Sequence, residues 1–353
     1  MPHEKYDGPT PQPVLHIASG HRTARLLSVA RELDLFTLLS ARPMTSHELA
    51  DRLALDAGAT RDLAHALVGL GLLERDGTGR YRTTPVATRY LDTNGPHYIG
   101  GFLDFLDRQL NPAWDLLIER LRPGGGPASA DPYRPLYADE TGRTAFLEAM
   151  DVINTPHGHQ LSGELDWSGV DEVLEVGGAR GNLSAILAGR HPRLRATVFD
   201  LPELAEPCRR HVEALGLGGR VRFHAGDFFT DDLPAGADVV IVGHVLHNWP
   251  DPVRRMLVGK AFAALRPGGQ VLIYDAMVED ERPAFGNALV SIDMRVWSAG
   301  GSEYTPQECT EWLREAGFVD VRQHPIGASS LVLRARRPDH RPVSAGSARD
   351  TGR

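Results

Sequence analysis

The chain has 353 residues, 42% hydrophobic and 24% charged, with a formal net charge of -8. That length holds two domains and a sizeable core, and the acidic balance argues against nucleic acid as the main partner, because a phosphate backbone wants clustered Lys and Arg. No apolar run reaches the roughly 18 residues of a membrane span. The start, MPHEKYDGPTPQP, lacks the apolar segment of a signal peptide, and Cys208 and Cys309 stand in no metal or redox spacing, so a reduced, cytoplasmic protein is expected.

Residues 1–13 carry Pro, Gly and polar residues without periodicity and read as a flexible arm. From 14 to 39 the apolar residues Ile17, Leu26, Leu27, Ala30, Leu33, Leu35 and Phe36 recur at helical spacing, which predicts one or two helices. Thr45-Ser46-His47-Glu48 reads as a helix start, with a hydroxyl cap and Glu48 placed to return the hydrogen bond. Thr60 is a candidate cap for the next helix, whose apolar face is Leu63, Ala64, Leu67, Val68 and Leu70. GLLERDGTGRYRTT then predicts a hairpin. Helix, helix and basic-tipped hairpin make a winged-helix pattern over 14–98. Arg61, Arg75, Arg80 and Arg82 would serve DNA, but Asp51, Asp56, Asp62, Glu74 and Asp76 nearly balance them, which favours a dimerisation module.

Residues 99–165 read as a helical linker and roof for an acceptor pocket. Helical spacing over 100–121 (Phe102, Phe105, Leu106, Leu110, Trp114, Leu117) precedes the break Arg122-Pro-Gly-Gly-Gly-Pro127, and 144–160 predicts a helix bearing Phe146, Met150, Ile153, Asn154 and His157. From 166 to 337 strands and helices alternate, which implies an α/β domain with a largely parallel sheet. The strands fall at 173–176, 196–200, 221–225, 238–245, 270–275, 319–325 and 330–335, and helices at 182–190, 202–215, 252–265 and 306–316. The last two strands are placed to form an antiparallel hairpin through 326–328, and 338–353 reads as a disordered tail.

Ligands of open sheets bind past the carboxyl ends of the strands. Those ends carry Glu175-Val-Gly-Gly, Asp200-Leu-Pro, Gly226-Asp227-Phe228-Phe229, Gly243-His244-Val-Leu-His247-Asn248-Trp249 and Tyr274-Asp275. The glycines suit a tight strand-to-helix turn against a ligand, and Asp200 suits the two hydroxyls of a ribose. Asp227 suits an exocyclic amine and Phe228 an aromatic ring face. With no phosphate loop, the rim fits a nucleoside carrying a cation near Glu175, as S-adenosylmethionine does. His247 is a candidate general base, or else a structural histidine capping the next helix; with a pKa near 6.5 it would suit a phenol. His244, three residues earlier, offers a metal pair with no third ligand evident, so no metal is expected.

EVGGARG, FDLP, GDFF, LHNWPD, RPGGQVLIYD and GGSEYT, in this order, resemble the class I S-adenosylmethionine-dependent O-methyltransferases of plant phenylpropanoid and bacterial polyketide-tailoring type. The resemblance covers about residues 14–337. It implies a Rossmann-like sheet of order 3-2-1-4-5-7-6 with the last strand antiparallel, and a homodimer through the helical winged-helix domain. It also implies S-adenosyl-L-methionine as methyl donor, S-adenosyl-L-homocysteine as product, and a small aromatic, phenolic acceptor. Gly177, Gly178 and Gly181 would flank the methionine part, Asp200 and Leu201 the ribose and adenine, and Asp227 and Phe228 the adenine. His247 matches the family's base, and Asp275 and Glu303 match the acids that orient it. Gly226, Gly243 and His244 belong to the same cofactor rim by placement, and Met150, Asn154, His157, Asp293, Met294 and Trp297 are candidates for the acceptor pocket. Met294 and Trp297 serve equally well as core. Two departures stand out: Ala179 sits where the family commonly has a third glycine, and His-Asn-Trp replaces His-Asp-Trp.

Overall fold

The computed structural model describes residues 10–122, 131–279, 281, 284–327 and 329–339. Residues 1–9 of the expected arm, the glycine-rich break at 123–130, Ala328 at the last hairpin and the tail from 340 lie outside the described residues. The chain forms two compact units, the first ending at Asp107 and the second starting at Arg108.

In the first unit the apolar stretch 14–39 becomes three helices, not one or two: α1 (Gln12–Ala18), α2 (Gly20–Glu32) and α3 (Leu35–Ala41). Asp34, at φ 51°, reverses the chain before α3, a left-handed conformation that short polar side chains tolerate. Helix α4 (Ser46–Leu53) starts on the expected capping box: Thr45 Oγ1 accepts from Glu48 N at 3.2 Å and Glu48 Oε2 from Thr45 N at 2.7 Å. Helix α5 (Ala57–Gly69) is capped by Asp56, which accepts from Ala59 N at 2.8 Å. Thr60 is one turn too late to be the cap. It is buried in the helix, donating its hydroxyl to the Asp56 carbonyl.

The hairpin forms as β1 (Leu73–Arg75) and β2 (Tyr81–Thr83), its turn held by Asp76, which accepts from the Thr78 and Arg80 amides. Helix α6 (Pro85–Leu91) begins with proline at its first position and Thr84 as cap, and α7 (Gly100–Phe105) closes the unit. Phe36, Leu39, Leu49, Leu67 and Tyr81 are fully buried at its centre.

The expected helix over 100–121 is broken. After α7 come a π-helical turn at Leu106–Leu110, then α8 (Asn111–Trp114) and α9 (Leu117–Leu121). Pro112 has no N–H to donate into a continuous ladder, so the helix must restart around it. Helix α10 (Tyr133–Ala138) leads into α11 (Glu140–Glu164), longer than expected at both ends and started by the Asp139 carboxylate.

Seven strands follow: β3 (Glu172–Val176), β4 (Arg195–Asp200), β5 (Val221–Ala225), β6 (Ala237–Gly243), β7 (Leu265–Asp275), β8 (Val319–Ile326) and β9 (Ser330–Arg336). They order β5-β4-β3-β6-β7-β9-β8, which counted from β3 is 3-2-1-4-5-7-6, with β9 antiparallel to both neighbours as the resemblance implies. Strand β6 is buried along almost its whole length, as a central parallel strand covered on both faces must be. The covering helices are α12 (Asn182–Arg190), α13 (Ala205–Ala214), α14 (Asp251–Ala264), α15 (Phe285–Trp297) and α16 (Pro306–Glu315). Two apolar clusters fill the sheet faces, one around Val240, Leu257 and Trp312 and the other around Val198, Leu187 and Ile241.

Candidate active site

Strand β3 delivers Glu175 and then turns sharply. Gly177 has φ 69°, and a Cβ there would sit 2.6 Å from Val245 Cγ2. A Cβ on Gly178 would lie 2.7 Å from the Glu175 carboxyl carbon and 2.9 Å from Val198. Only glycine lets the backbone pass through this turn into α12, whose N-cap is Gly181. Ala179 adopts φ 49°, so the alanine that replaces the family's third glycine carries left-handed strain. Glu175 is buried and accepts from the Ser184 amide at 3.1 Å and from the Ser184 hydroxyl. Burial raises its pKa to about 7.

At the end of β4, Asp200 Oδ2 accepts from Ala179 N at 2.8 Å and Oδ1 from Leu201 N at 2.7 Å. Burial raises this carboxyl to about 6 although both amides favour its ionised form. Past β5, Asp227 Oδ2 pairs with Arg134 Nη2 at 2.5 Å, and Oδ1 accepts from Phe229 N at 2.9 Å. Asp227 is therefore not the free acceptor that its sequence position suggests. Arg134 comes from α10, an element with no local signal in the sequence. Phe228 packs edge-on against Trp249, with centroids 5.8 Å apart.

Strand β6 ends at Gly243, two residues short of expectation: His244 donates its N–H to the Tyr274 carbonyl at 3.0 Å and then turns away at φ 54°. The space a side chain would fill at 243 belongs to Tyr274: a Cβ would lie 2.0 Å from its ring, whose hydroxyl donates to Asn154 Oδ1 at 2.9 Å. Gly243→Ala is therefore expected to destabilise the fold by about 1–3 kcal/mol. Gly243→Ala with Tyr274→Leu should recover most of that loss in thermal unfolding; additive losses would show that the ring is not the obstacle.

A 3-10 turn (Leu246–Asn248) presents His247. Its Nδ1 lies 2.6 Å from Glu303 Oε1 and 3.4 Å from Asp275 Oδ1. Asp275 ends β7 beside β6, and Glu303 sits on the loop into α16. That loop is pinned to the histidine turn, since Ser302 N donates to the His247 carbonyl at 2.9 Å and Arg254 binds both segments. Tyr304 donates to Asp275 Oδ2 at 2.5 Å. Burial alone would lower the His247 pKa, but Asp275 and Glu303 more than offset it and raise it to about 9, against the opposing charge of Arg254. Burial raises Asp275 to about 7 while His247 pulls it down. The ring is thus not the neutral base near 6.5 that its free value suggests; it is charged at neutral pH.

For an acceptor whose own pKa exceeds about 10, kcat/KM should climb about tenfold per pH unit and level off near 9. A profile that tracks the acceptor's pKa instead would place the titration in the acceptor. The groups facing the ring are Asp275, Glu303 and Arg254, together with His244, whose pKa burial pushes well below its usual value.

His244 Nδ1 is 3.7 Å from Asp275 Oδ1 and its Nε2 is 3.5 Å from His157 Nδ1. Asp275 thereby joins the two histidines as the third ligand-type side chain that linear spacing did not reveal. Of the acceptor candidates, Asn154 and His157 face Tyr274, with the His157 and Tyr274 rings 5.4 Å apart. Asp293 accepts from Trp114 Nε1 at 2.7 Å, and Trp297 lies edge-on to Tyr133. Met150 and Met294 are half-buried on α11 and α15. Sequence reading passed over Tyr133, buried and donating to Asn248 Oδ1 at 2.6 Å. That bond gives Asn248, the departure from the family's aspartate, a neutral partner. The glycine cradle, the buried carboxylates Glu175 and Asp200, and Asp227 with Phe228 together fit S-adenosylmethionine.

Residues 126–319 match the family model of the O-methyltransferase domain, and residues 15–93 that of the O-methyltransferase dimerisation domain. The chain belongs to this family and is an S-adenosylmethionine-dependent methyltransferase. It is similar to the tetracenomycin polyketide synthesis 8-O-methyl transferase TcmO of Streptomyces glaucescens, 43% identical over 96% of this chain and 99% of that protein. It is also similar to the N,N-dimethyltransferase OxyT of Streptomyces rimosus, 36% identical over 88% of this chain and 91% of that protein. Among solved structures, human N-acetylserotonin methyltransferase in complex with SAM superposes with a TM-score of 0.84 at 27% identity, covering 95% of this chain and all of that one.

Proposed function

We propose that the protein methylates a phenolic hydroxyl of an aromatic polyketide-type metabolite, with His247 as general base. The observation that carries this is the 2.6 Å contact between His247 Nδ1 and Glu303, which leaves Nε2 to take a proton. In the neutral ring Nδ1–H donates to Glu303; as Nε2 takes the acceptor's proton, Glu303 and Asp275 stabilise the imidazolium. When bound, S-adenosylmethionine supplies a methyl group on a sulfonium sulfur, open to in-line displacement. Gly177, Gly178 and Gly181 flank its methionine part, Asp200 and Leu201 hold ribose and adenine, and Asp227 and Phe228 meet the adenine edge and face. Gly226, Gly243 and His244 complete that rim. Each Asp227 oxygen keeps a second lone pair beside the one it gives Arg134 or Phe229 N, so the adenine amine does not require that pair to break. Asp293, Met294, Trp297, Met150, Asn154 and His157 form the acceptor side.

Calorimetry with S-adenosylmethionine, followed by a panel of phenols and of the matched anilines, tests this reading. Absence of binding, or transfer to none of the phenols, would overturn it. Transfer to the anilines alone would support amine methylation, which the likeness to OxyT favours as the second reading.

We further read the protein as a cytoplasmic homodimer with no nucleic-acid partner. Helix α1 buries none of its residues, and Val14 and Ile17 are 69% and 78% exposed, an apolar surface suited to a second copy. Two hairpin arginines are already neutralised: Arg80 by Glu48 at 3.0 Å and Arg82 by Glu74 at 2.7 Å. Arg75 lies over the Tyr81 ring. Both cysteines are free, and no helix among the described residues is long and apolar enough to cross a membrane.

A further inference from the structure

We propose that His244, His247 and Asp275 form a site for a divalent ion of the zinc type, and that filling it switches His247 off as a base. Asp275 Oδ1 stands 3.4 Å from His247 Nδ1 and 3.7 Å from His244 Nδ1, and the three donor atoms all lie within 4.8 Å of one another. Ligands of tetrahedral zinc at about 2.0–2.1 Å are spaced about 3.4 Å apart, so the atoms already stand near ligating positions. Asp275 Oδ1 is fully buried and has no hydrogen-bond partner among the described residues, nor has Glu303 Oε2 beside it. A buried carboxylate oxygen without a donor is costly unless a cation answers it; the protonated His247 ring at 3.4 Å does so in the free protein, and a bound ion would take over that role.

The outer contacts that orient metal ligands are also in place. His244 Nε2 faces His157 Nδ1 at 3.5 Å, and Tyr304 donates to Asp275 Oδ2 at 2.5 Å. Two buried carboxylates and two imidazoles together carry two negative charges when the rings are neutral, which a dication cancels.

The switching follows from the tautomer, and it rests on His247 being the base. In the working enzyme Nδ1–H donates to Glu303 and the Nε2 lone pair takes the acceptor's proton. An ion on Nδ1 takes the place of that hydrogen, which passes through solvent to Nε2, so the neutral ring keeps its one hydrogen and carries it on the reacting nitrogen. A ring so fixed cannot accept a proton at the reacting nitrogen. Glu303, having lost its donor, is placed to take the ion's fourth position.

The test titrates the intact protein with Zn2+, and separately with Co2+, without cofactor or acceptor. One ion per chain is expected, with the visible absorption of tetrahedral Co2+. Affinity should fall at least tenfold in His244→Gln and Asp275→Asn, and about tenfold in Tyr304→Phe, which removes only an outer contact. Isotherms unchanged by all three substitutions, or a six-coordinate Co2+ spectrum, would overturn the site. Tyr304→Phe decides the matter if the ligand variants do not fold. Zn2+ should then inhibit methyl transfer reversibly, with EDTA restoring it. Tight binding that leaves transfer unchanged would overturn the switching. Because the titrations use metal alone, a failure of the methyl-transfer reading shows up separately, as absent binding of S-adenosylmethionine.

Discussion

His247→Ala should lower kcat for a phenolic acceptor by about 10²–10⁴-fold while leaving S-adenosylmethionine affinity within a fewfold of wild type. The basis is the division of labour at the ring: Nδ1 is committed to Glu303 at 2.6 Å, so only Nε2 can serve the acceptor. The variant also leaves Asp275 and Glu303, both fully buried in their side chains, without their cation, so its thermal stability should fall. His247→Gln separates the two effects, since an amide can still donate to Glu303 but cannot take a proton at neutral pH. It should keep more stability than alanine and the same loss of kcat. A kcat near wild type in both variants at every pH would refute the base and leave positioning as the source of the acceleration. Glu303→Gln should act through the ring, removing one of the charges that hold it protonated and moving the pH profile toward lower values.

How the chain advertises this site depends on whether the contact is local. The capping box at Thr45 and Glu48 and the glycine turn at 177–178 are spelled out within a few residues, because both answer to backbone geometry nearby. Thr60 reads as the cap of α5, but Asp56, four residues earlier, takes that place and Thr60 is buried within the helix. Gly243 reads as part of the cofactor rim in the sequence, and the structure adds that it makes room for Tyr274, a pairing set by strand register between β6 and β7. Arg134 on Asp227, and Asp275 beside both histidines, depend on how α10 and β7 are carried over the sheet, which no spacing encodes. The same distance hides the pKa of His247: the residue is legible, but its two acids arrive from separate elements and turn a near-neutral base into one that titrates near 9.

Asp200→Ala should weaken S-adenosylmethionine binding by a hundredfold or more, since two hydrogen bonds to a charged group contribute about 1.5–3 kcal/mol each. The carboxylate has a second task, accepting from the Ala179 and Leu201 amides at 2.8 and 2.7 Å. Alanine strands both donors at a turn that already holds a left-handed alanine, Ala179, so part of any lost affinity would come from a loosened turn. Asp200→Asn tells the two apart. Its amide oxygen still accepts from one backbone donor, which preserves much of the turn, but it presents one acceptor and no charge to the ribose. If asparagine restores the melting temperature and not the affinity, the carboxylate itself binds the ribose; if it restores both, Asp200 only shapes the turn. The pH dependence gives a check without mutation. The carboxyl titrates at about 6 in the free protein, raised by burial, and the ribose hydroxyls donate to its ionised form. Affinity should therefore be steady above 6 and fall about tenfold per pH unit below it. The free fold runs the other way: a carboxyl raised in the folded state stabilises most when protonated, and that contribution is lost as pH rises through 6. Ionised Asp200 thus costs the unliganded protein stability in the pH range where it binds the cofactor best, and the ligand should raise the melting temperature more at pH 7.5 than at pH 5.5.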